Sequence, residues 1–210
     1  MSLIQINNLT FKYDRDFENV FENVNLNIDT NWKLGLIGRN GKGKTTFLKL
    51  LTGKLKGTGS IRKNVEVTYF PYEVKDDDIT LNIVQEICMA EDWEIIKEIN
   101  LLNANVEILY RNFSTLSGGE RVKALLAALF LKENNFLLID EPTNHLDPET
   151  QELIGENFKN YEGGIILVSH NPSFVEAIGI DRMLILPQGK ITNYSKELLE
   201  YYYQLNTTKK

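Results

Sequence analysis

Cysteine is almost absent: Cys88 is the single one among 210 residues. No internal disulfide can form, which fits a reducing compartment. Cys88 lies among Leu81, Val84 and Ile87, so it reads as a small buried hydrophobe and not as a reactive thiol. Long apolar runs are missing as well. The longest, residues 124–131, falls far short of the roughly 20 residues that cross a bilayer. The opening MSLIQINNLT has neither the basic nor the apolar part of a secretory signal. These absences predict a cytoplasmic chain with no membrane span, to which another polypeptide would supply any membrane part. Basic runs are lacking too, apart from Lys209-Lys210. With 23 Lys+Arg against 29 Asp+Glu the net charge is -6, which argues against a self-sufficient nucleic-acid binder but not against a local RNA contact.

What is present is ordinary for a globular domain: 42% hydrophobic and 25% charged residues. A chain of this length makes one domain with room for an added lobe, and buries roughly 70% of its unfolded surface without disulfides. Residues 1–30 alternate apolar and polar around a turn at 14–16, which predicts short antiparallel strands. Residues 33–38 read as a buried strand ending in a glycine-rich turn, 44–51 as a helix stopped by Gly53, and 59–61 and 65–70 as strands. From 74 to about 115 the strand signal disappears. Trp93, Ile96, Ile99 and Leu102 recur at helical spacing, and a small helical lobe is expected. Strands at 136–139 and 165–169 then alternate with helices at 121–131, 148–160 and 172–178, before a hairpin at 183–193 and a last helix from 196. That alternation predicts an α/β fold with a mostly parallel sheet covered on both faces, preceded by an antiparallel β subdomain.

Four motifs carry chemistry. Gly38-Arg39-Asn40-Gly41-Lys42-Gly43-Lys44-Thr45 matches G-x-x-x-x-G-K-[ST] between a strand and a helix. Its glycines let successive N–H groups face one phosphate, and the helix N-terminus adds partial positive charge. Lys44 can reach the outer phosphates and Thr45 can ligate Mg²⁺. The plain alternative is a glycine-rich turn. Asp140-Glu141 ends an apolar strand where open parallel sheets bind ligands. Asp140 is placed to hold Mg²⁺ and Glu141 to polarise water, unless both merely open a solvated turn. In Leu116-Ser117-Gly118-Gly119-Glu120, Ser117 and Glu120 make a capping box. The box has no need of Gly118 and Gly119, whose presence suggests that an anion approaches the backbone. His170 ends the next strand, where an imidazole can meet the γ-phosphate, although a lone histidine is more often structural.

In this order, 38–45, 116–120, 140–141 and 170, the motifs resemble those of the ATP-binding cassette (ABC) ATPases over nearly the whole chain. The segment Asp140-Glu141-Pro142-Thr143-Asn144-His145-Leu146-Asp147 is similar to the DEPTNHLD sequence of the ABC-F branch, whose members lack membrane domains and act as translation factors or antibiotic-resistance proteins on the ribosome. Residues 30–41 are also similar to the resistance subgroup. The resemblance implies a P-loop NTPase core over residues 1–210, as the N-terminal cassette of a two-cassette chain. It implies ATP and Mg²⁺ as cofactors and Glu141 and His170 as catalytic residues. Nucleotide contacts would come from Gly38, Arg39, Asn40, Gly41, Lys42, Gly43, Lys44, Thr45, Thr46 and Asp140, with Tyr13 on the adenine, or otherwise filling core. Thr45 and Asp140 would hold the metal. Ser117, Gly118, Gly119 and Asp147 would serve a nucleotide shared with a second cassette, and His145 has no assigned chemistry. The sequence departs from the family at Tyr72, where a glutamine usually touches Mg²⁺ and water; a tyrosine hydroxyl cannot replace both faces of an amide. The implied activity is ATP hydrolysis in partnership with a second cassette and the ribosome. The alternatives are a transporter's nucleotide-binding subunit and an ATP-binding module that hydrolyses little.

Overall fold

The computed structural model describes residues 3–14, 16–74, 77–143 and 146–207. His145, Asn144 and the terminal lysine pair lie outside the described residues. The chain runs β1 (Leu3–Phe11), β2 (Phe21–Asp29), β3 (Lys33–Ile37), α1 (Lys44–Thr52), β4 (Thr58–Arg62), β5 (Glu66–Phe70), α2 (Thr80–Cys88), α3 (Asp92–Leu101), α4 (Gly118–Leu131), β6 (Asn135–Asp140), α5 (Pro148–Asn160), β7 (Ile165–Val168), α6 (Pro172–Ile178), β8 (Arg182–Ile185), β9 (Lys190–Asn193) and α7 (Lys196–Thr207). Two short 3-10 turns, Val106–Tyr110 and Phe113–Thr115, precede α4.

The strands form two sheets. A three-stranded antiparallel sheet has the order β2-β1-β4, and a six-stranded sheet has the order β5-β6-β7-β3-β8-β9. In the larger sheet only β9 runs antiparallel, against β8. The expected α/β architecture, with a mostly parallel sheet and an antiparallel N-terminal sheet, is what the structure shows.

The apolar runs of the central strands follow from burial on both faces. In β6, Leu137 and Ile139 pack into the core shared with α2–α6, while Phe136 and Leu138 pack into the core shared with α1, β1 and β2. In β7, Ile165 and Leu167 take the first side, Ile166 and Val168 the second. Alternation is therefore real but hidden, because both faces are apolar. Cys88 is buried in the first core, as its apolar neighbours suggested.

Between α2 and α4 the chain forms helices and turns, closed at its base by the bridge Ile79↔Asn112. The residues at helical spacing do lie on or beside a helix, α3, but not all on its buried face. The stripe Trp93, Ile96, Ile99, Leu102 does not face inward as a set: α3 buries Ile95 and Ile99 with Leu102 beyond its end, while Trp93 is 65% exposed. The capping box of Glu91 and Glu94 starts α3 at Asp92 and puts Trp93 in the first turn. The inward stripe then begins at Ile95 with i, i+4 spacing, and the i, i+3 row leading back to Trp93 drifts to the surface.

Candidate functional site

The strand ends that sequence reasoning singled out are neighbours. β3, β6 and β7 lie side by side in the sheet, so residues 38–46, 140–141 and 169–170 emerge together at its carboxyl edge.

The loop after β3 is shaped by glycine. Gly41 and Gly43 have φ of 76° and 89°, the left-handed region. At Gly43 a Cβ would stand 2.6 Å from Val20 Cγ1 and 2.7 Å from Phe21 Cζ, so the loop lies flush against β2. Gly43 is also the N-cap of α1 and offers no side chain, which leaves the first-turn N–H groups without a side-chain cap. Arg39 and Lys42 are exposed, with the Lys42 N–H donating to the Arg39 carbonyl at 3.1 Å.

Lys44 bends back over this loop. Its Nζ donates to the Gly38 carbonyl at 3.0 Å and to Asn40 Oδ1 at 3.2 Å. Both partners are neutral, and among the described residues no carboxylate lies within ion-pair distance. Burial pushes the Lys44 ammonium below its ordinary range, with Glu141 and Asp140 opposing. A half-buried cation with neutral partners beside uncapped N–H groups is a cradle for an anion.

Thr45 Oγ1 donates to Asp140 Oδ2 at 2.9 Å, so two oxygens suited to a hard cation stand together at the rim of this cradle. Among the described residues no cluster of three or more His, Cys, Asp or Glu forms a metal site. The Thr45–Asp140 pair fits an ion that completes its shell with phosphate and water oxygens. Tyr13 is exposed beside the loop, its ring edge-on to Phe11 at 4.9 Å and its hydroxyl 2.8 Å from Oγ1 of the buried Thr46.

Glu141 is held in an unfavourable backbone state, φ 52°, at the step after β6. Its N–H donates to the Val168 carbonyl at 2.9 Å, and its Oε2 accepts the His170 N–H at 3.0 Å. Oε1 is buried without a hydrogen bond, 3.4 Å from His170 Nε2. Burial raises the Glu141 carboxyl above its usual range, and His170 draws it back only in part. Strain, burial and an orphaned oxygen together mark a carboxylate poised for a proton.

The signature-like segment lies elsewhere. Ser117 and Glu120 cap α4 reciprocally: Glu120 N–H to Ser117 Oγ at 3.3 Å, and Ser117 N–H to Glu120 Oε2 at 2.7 Å. A Cβ at Gly118 would meet nothing within 4 Å, and one at Gly119 only Leu146 Cδ2 at 3.7 Å. Neither glycine is required by contacts within the chain, and among the described residues Ser117, Gly118 and Gly119 have no hydrogen bond to the glycine-rich loop after β3. Asp147 caps α5 by accepting the Thr150 N–H at 2.9 Å, ahead of Pro148, and is exposed. Tyr72 is half-buried and packs its ring against the larger core.

Three residues that sequence reasoning did not nominate touch the site. Tyr69 donates its hydroxyl to Asp140 Oδ2 at 2.8 Å. Tyr203 donates to the Ser169 carbonyl, and Asn206 bonds Gly38 and Asn40. Their aromatic or amide character gave no motif to find. A narrow cleft opens between α7 and Gly38, Lys44 and His170.

Known proteins resemble this chain in sequence and in fold. The family described as "ABC transporter" matches residues 21–144. The mouse "ATP-binding cassette sub-family F member 3" is 30% identical over 90% of this chain and 28% of its own length. The Arabidopsis thaliana "ABC transporter F family member 5" is 32% identical over 98% and 30% respectively, and a Haemophilus influenzae "ATP-binding protein Uup-like" is 37% identical over 77% and 38%. The chain thus spans between 28% and 38% of these relatives. A solved bacterial Atm1-family ABC exporter superposes with a TM-score of 0.78 at 20% identity, covering 97% of this chain and 41% of that one, which speaks for the fold alone. Among the described residues no helix is long and apolar enough to cross a membrane. A family match across more than half of the sequence, on a fold of the same kind, means that the chain belongs to the ABC transporter family, in which its likeness is to cassettes of the F branch.

Proposed function

We propose that the chain binds MgATP on residues 38–46 and hydrolyses it when a second cassette closes over the bound nucleotide. The observation that carries this reading is Lys44, a half-buried cation with neutral partners, beside the uncapped start of α1 and the Thr45–Asp140 oxygen pair. The β and γ phosphates take up Lys44 and the first-turn N–H groups, and Tyr13 offers its ring to the adenine. Mg²⁺, held through Thr45 and Asp140, would neutralise charge on the phosphate oxygens. Glu141 takes the proton of the water that attacks the γ-phosphorus as the bond to the ADP oxygen breaks. Its raised carboxyl pKa makes it a stronger base than an exposed glutamate. His170, whose N–H is already anchored on Glu141, faces the leaving γ-phosphate.

Ser117, Gly118, Gly119 and Asp147 then serve the nucleotide of the opposite cassette, which explains why the two glycines meet so little in their own chain. By its likeness to F-branch proteins we assign the chain to a cytoplasmic two-cassette protein, as its N-terminal half, acting on the ribosome in translation or antibiotic resistance. A second reading has one observation in its favour. Tyr72 is committed to core packing where the family's glutamine would reach metal and water, which suits a module that binds ATP and hydrolyses it slowly.

Equilibrium titration with a fluorescent ATP analogue and Mg²⁺ tests the nucleotide site. Binding by the wild type and its loss in Lys44→Ala are expected; equal binding by both would sink the assignment. Co-sedimentation with ribosomes in the presence of ATP, set against recovery with a membrane permease, separates the F-branch role from a transporter subunit. Phosphate release with a second cassette present separates the ATPase from the slow module.

A further inference from the structure

The last helix is fastened to the site at two points. α7 reaches the ends of β3 and β7 at once. Leu199 is buried in the larger core and sets the helix down. One turn on, the Tyr203 hydroxyl donates to the carbonyl of Ser169, the residue before His170. Asn206 then meets the phosphate loop with both ends of its carboxamide. Its Oδ1 accepts the Asn40 N–H at 2.8 Å, and its Nδ2 donates to the Gly38 carbonyl at 3.3 Å.

The Gly38 carbonyl is the point of interest, because Lys44 Nζ donates to it as well, at 3.0 Å. Gly38 is a buried residue and both bonds to its carbonyl are part-buried, so water reaches that oxygen less freely than it would on the surface. When the Lys44 ammonium turns toward phosphate oxygens, it gives up some or all of that bond. Without another donor, the carbonyl would then be left unsatisfied, and this cost would be charged against nucleotide binding. Asn206 is that other donor. The same side chain fixes Asn40, whose own Oδ1 is the second partner of Lys44. A carboxamide carries its donor and its acceptor on two separate atoms, which lets one side chain hold two points of the loop.

We propose that Asn206 is a positioning residue for the phosphate loop: it keeps the Gly38 carbonyl and Asn40 in place so that Lys44 is free to engage phosphate. Tyr203 gives α7 its second hold, on the strand end that carries His170. The role of Asn206 rests on the nucleotide reading of the loop and deepens it, by making the site depend on a residue 166 and 168 positions further along the chain than Asn40 and Gly38.

The test uses the whole chain, a fluorescent (mant) ATP with Mg²⁺, and melting curves with and without ATP. Asn206→Leu, similar in size but without polar atoms, is expected to weaken mant-ATP about tenfold, the order that one unsatisfied buried acceptor costs. Its melting temperature without nucleotide should move no more than that of Tyr201→Ser, on an exposed position of the same helix. Asn206→Gln keeps the carboxamide and is expected to return affinity to within roughly threefold of wild type. Binding by Asn206→Leu within about twofold of wild type would overturn the role of Asn206. So would a nucleotide-free melting temperature that falls in step with affinity, because that marks a merely structural contact. Lys44→Ala separates the two levels. If it binds mant-ATP like the wild type, the nucleotide reading fails; if it does not bind while Asn206→Leu binds normally, only the role of Asn206 fails.

Discussion

Tyr69 and Thr45 both donate to one oxygen of Asp140, at 2.8 Å and 2.9 Å, so the carboxylate is gripped from β5 on one side and from α1 on the other. Burial pushes the Tyr69 hydroxyl far above its ordinary range, and Asp140 adds to the shift, so Tyr69 remains a donor at any physiological pH. A carboxylate fixed by an outer partner presents its remaining lone pairs in one direction.

Tyr69→Phe is therefore expected to raise the Mg²⁺ concentration needed for half-maximal mant-ATP binding by about tenfold. Binding in EDTA should stay as in the wild type. A magnesium titration of both proteins reads this out, and coincident curves would mean that Tyr69 only fills space.

Gly43→Ala tests the loop's shape. The new Cβ falls within 2.7 Å of Val20 Cγ1 and Phe21 Cζ, on a backbone with φ of 89°. Overpacking and left-handed strain together should cost roughly 2 kcal/mol or more. In a chain of this size that lowers the melting temperature by about 4–8 °C, and the loop's grip on nucleotide should go with it. A variant that melts like the wild type would show that β2 yields to the loop.

That the glycine-rich loop, the Asp140-Glu141 step and His170 stand at strand ends was legible because each is local: a strand, its end, and the residue that follows. The sheet order β6-β7-β3 brings them together without further information from the side chains. Tyr69 and Asn206 were not legible, since they reach the site across 71 and 166 residues of chain through bonds that no local pattern announces. Trp93 sits in the helix its spacing announces, but on the exposed side. Its spacing to Ile96 and Ile99 is helical, but an i, i+3 row winds away from the axis that the i, i+4 pair Ile95 and Ile99 sets against α4. Gly118 and Gly119 were legible as an oddity, and the emptiness around them keeps them one.

The α4 cap has a pH signature. Glu120 Oε2 accepts the Ser117 N–H at 2.7 Å, and Oε1 meets Arg111 at 3.0 Å; these hold its carboxyl below the ordinary range, the Ser117 backbone bond foremost. A carboxyl that ionises more readily folded than unfolded stabilises the fold fully above its unfolded value, near 4.3, and loses that contribution as pH falls through the folded value. Glu120→Ala removes one arm of the capping box and, at this solvent-screened position, should cost no more than about 1 kcal/mol at pH 7, and the gap to wild type should narrow below pH 4. Urea unfolding at the two pH values gives both numbers. A gap that does not change with pH would assign the loss to packing alone.

Glu141→Gln separates binding from hydrolysis. Glutamine keeps the size of the side chain and an oxygen for the His170 N–H, but it cannot take a proton from water. Mant-ATP affinity should stay within about threefold of wild type, while phosphate release with a second cassette present falls about a hundredfold or more. With the γ-phosphate retained, the paired cassettes should persist on size exclusion in MgATP. The variant should also gain stability at neutral pH. Because the folded Glu141 carboxyl titrates above its unfolded value, ionising it opposes folding. The gain from Gln is absent below the unfolded value and complete only once pH exceeds the folded one. Normal turnover by Glu141→Gln would remove Glu141 as the base, and a gain in stability that is the same at pH 4 and pH 8 would show that burial does not raise its carboxyl.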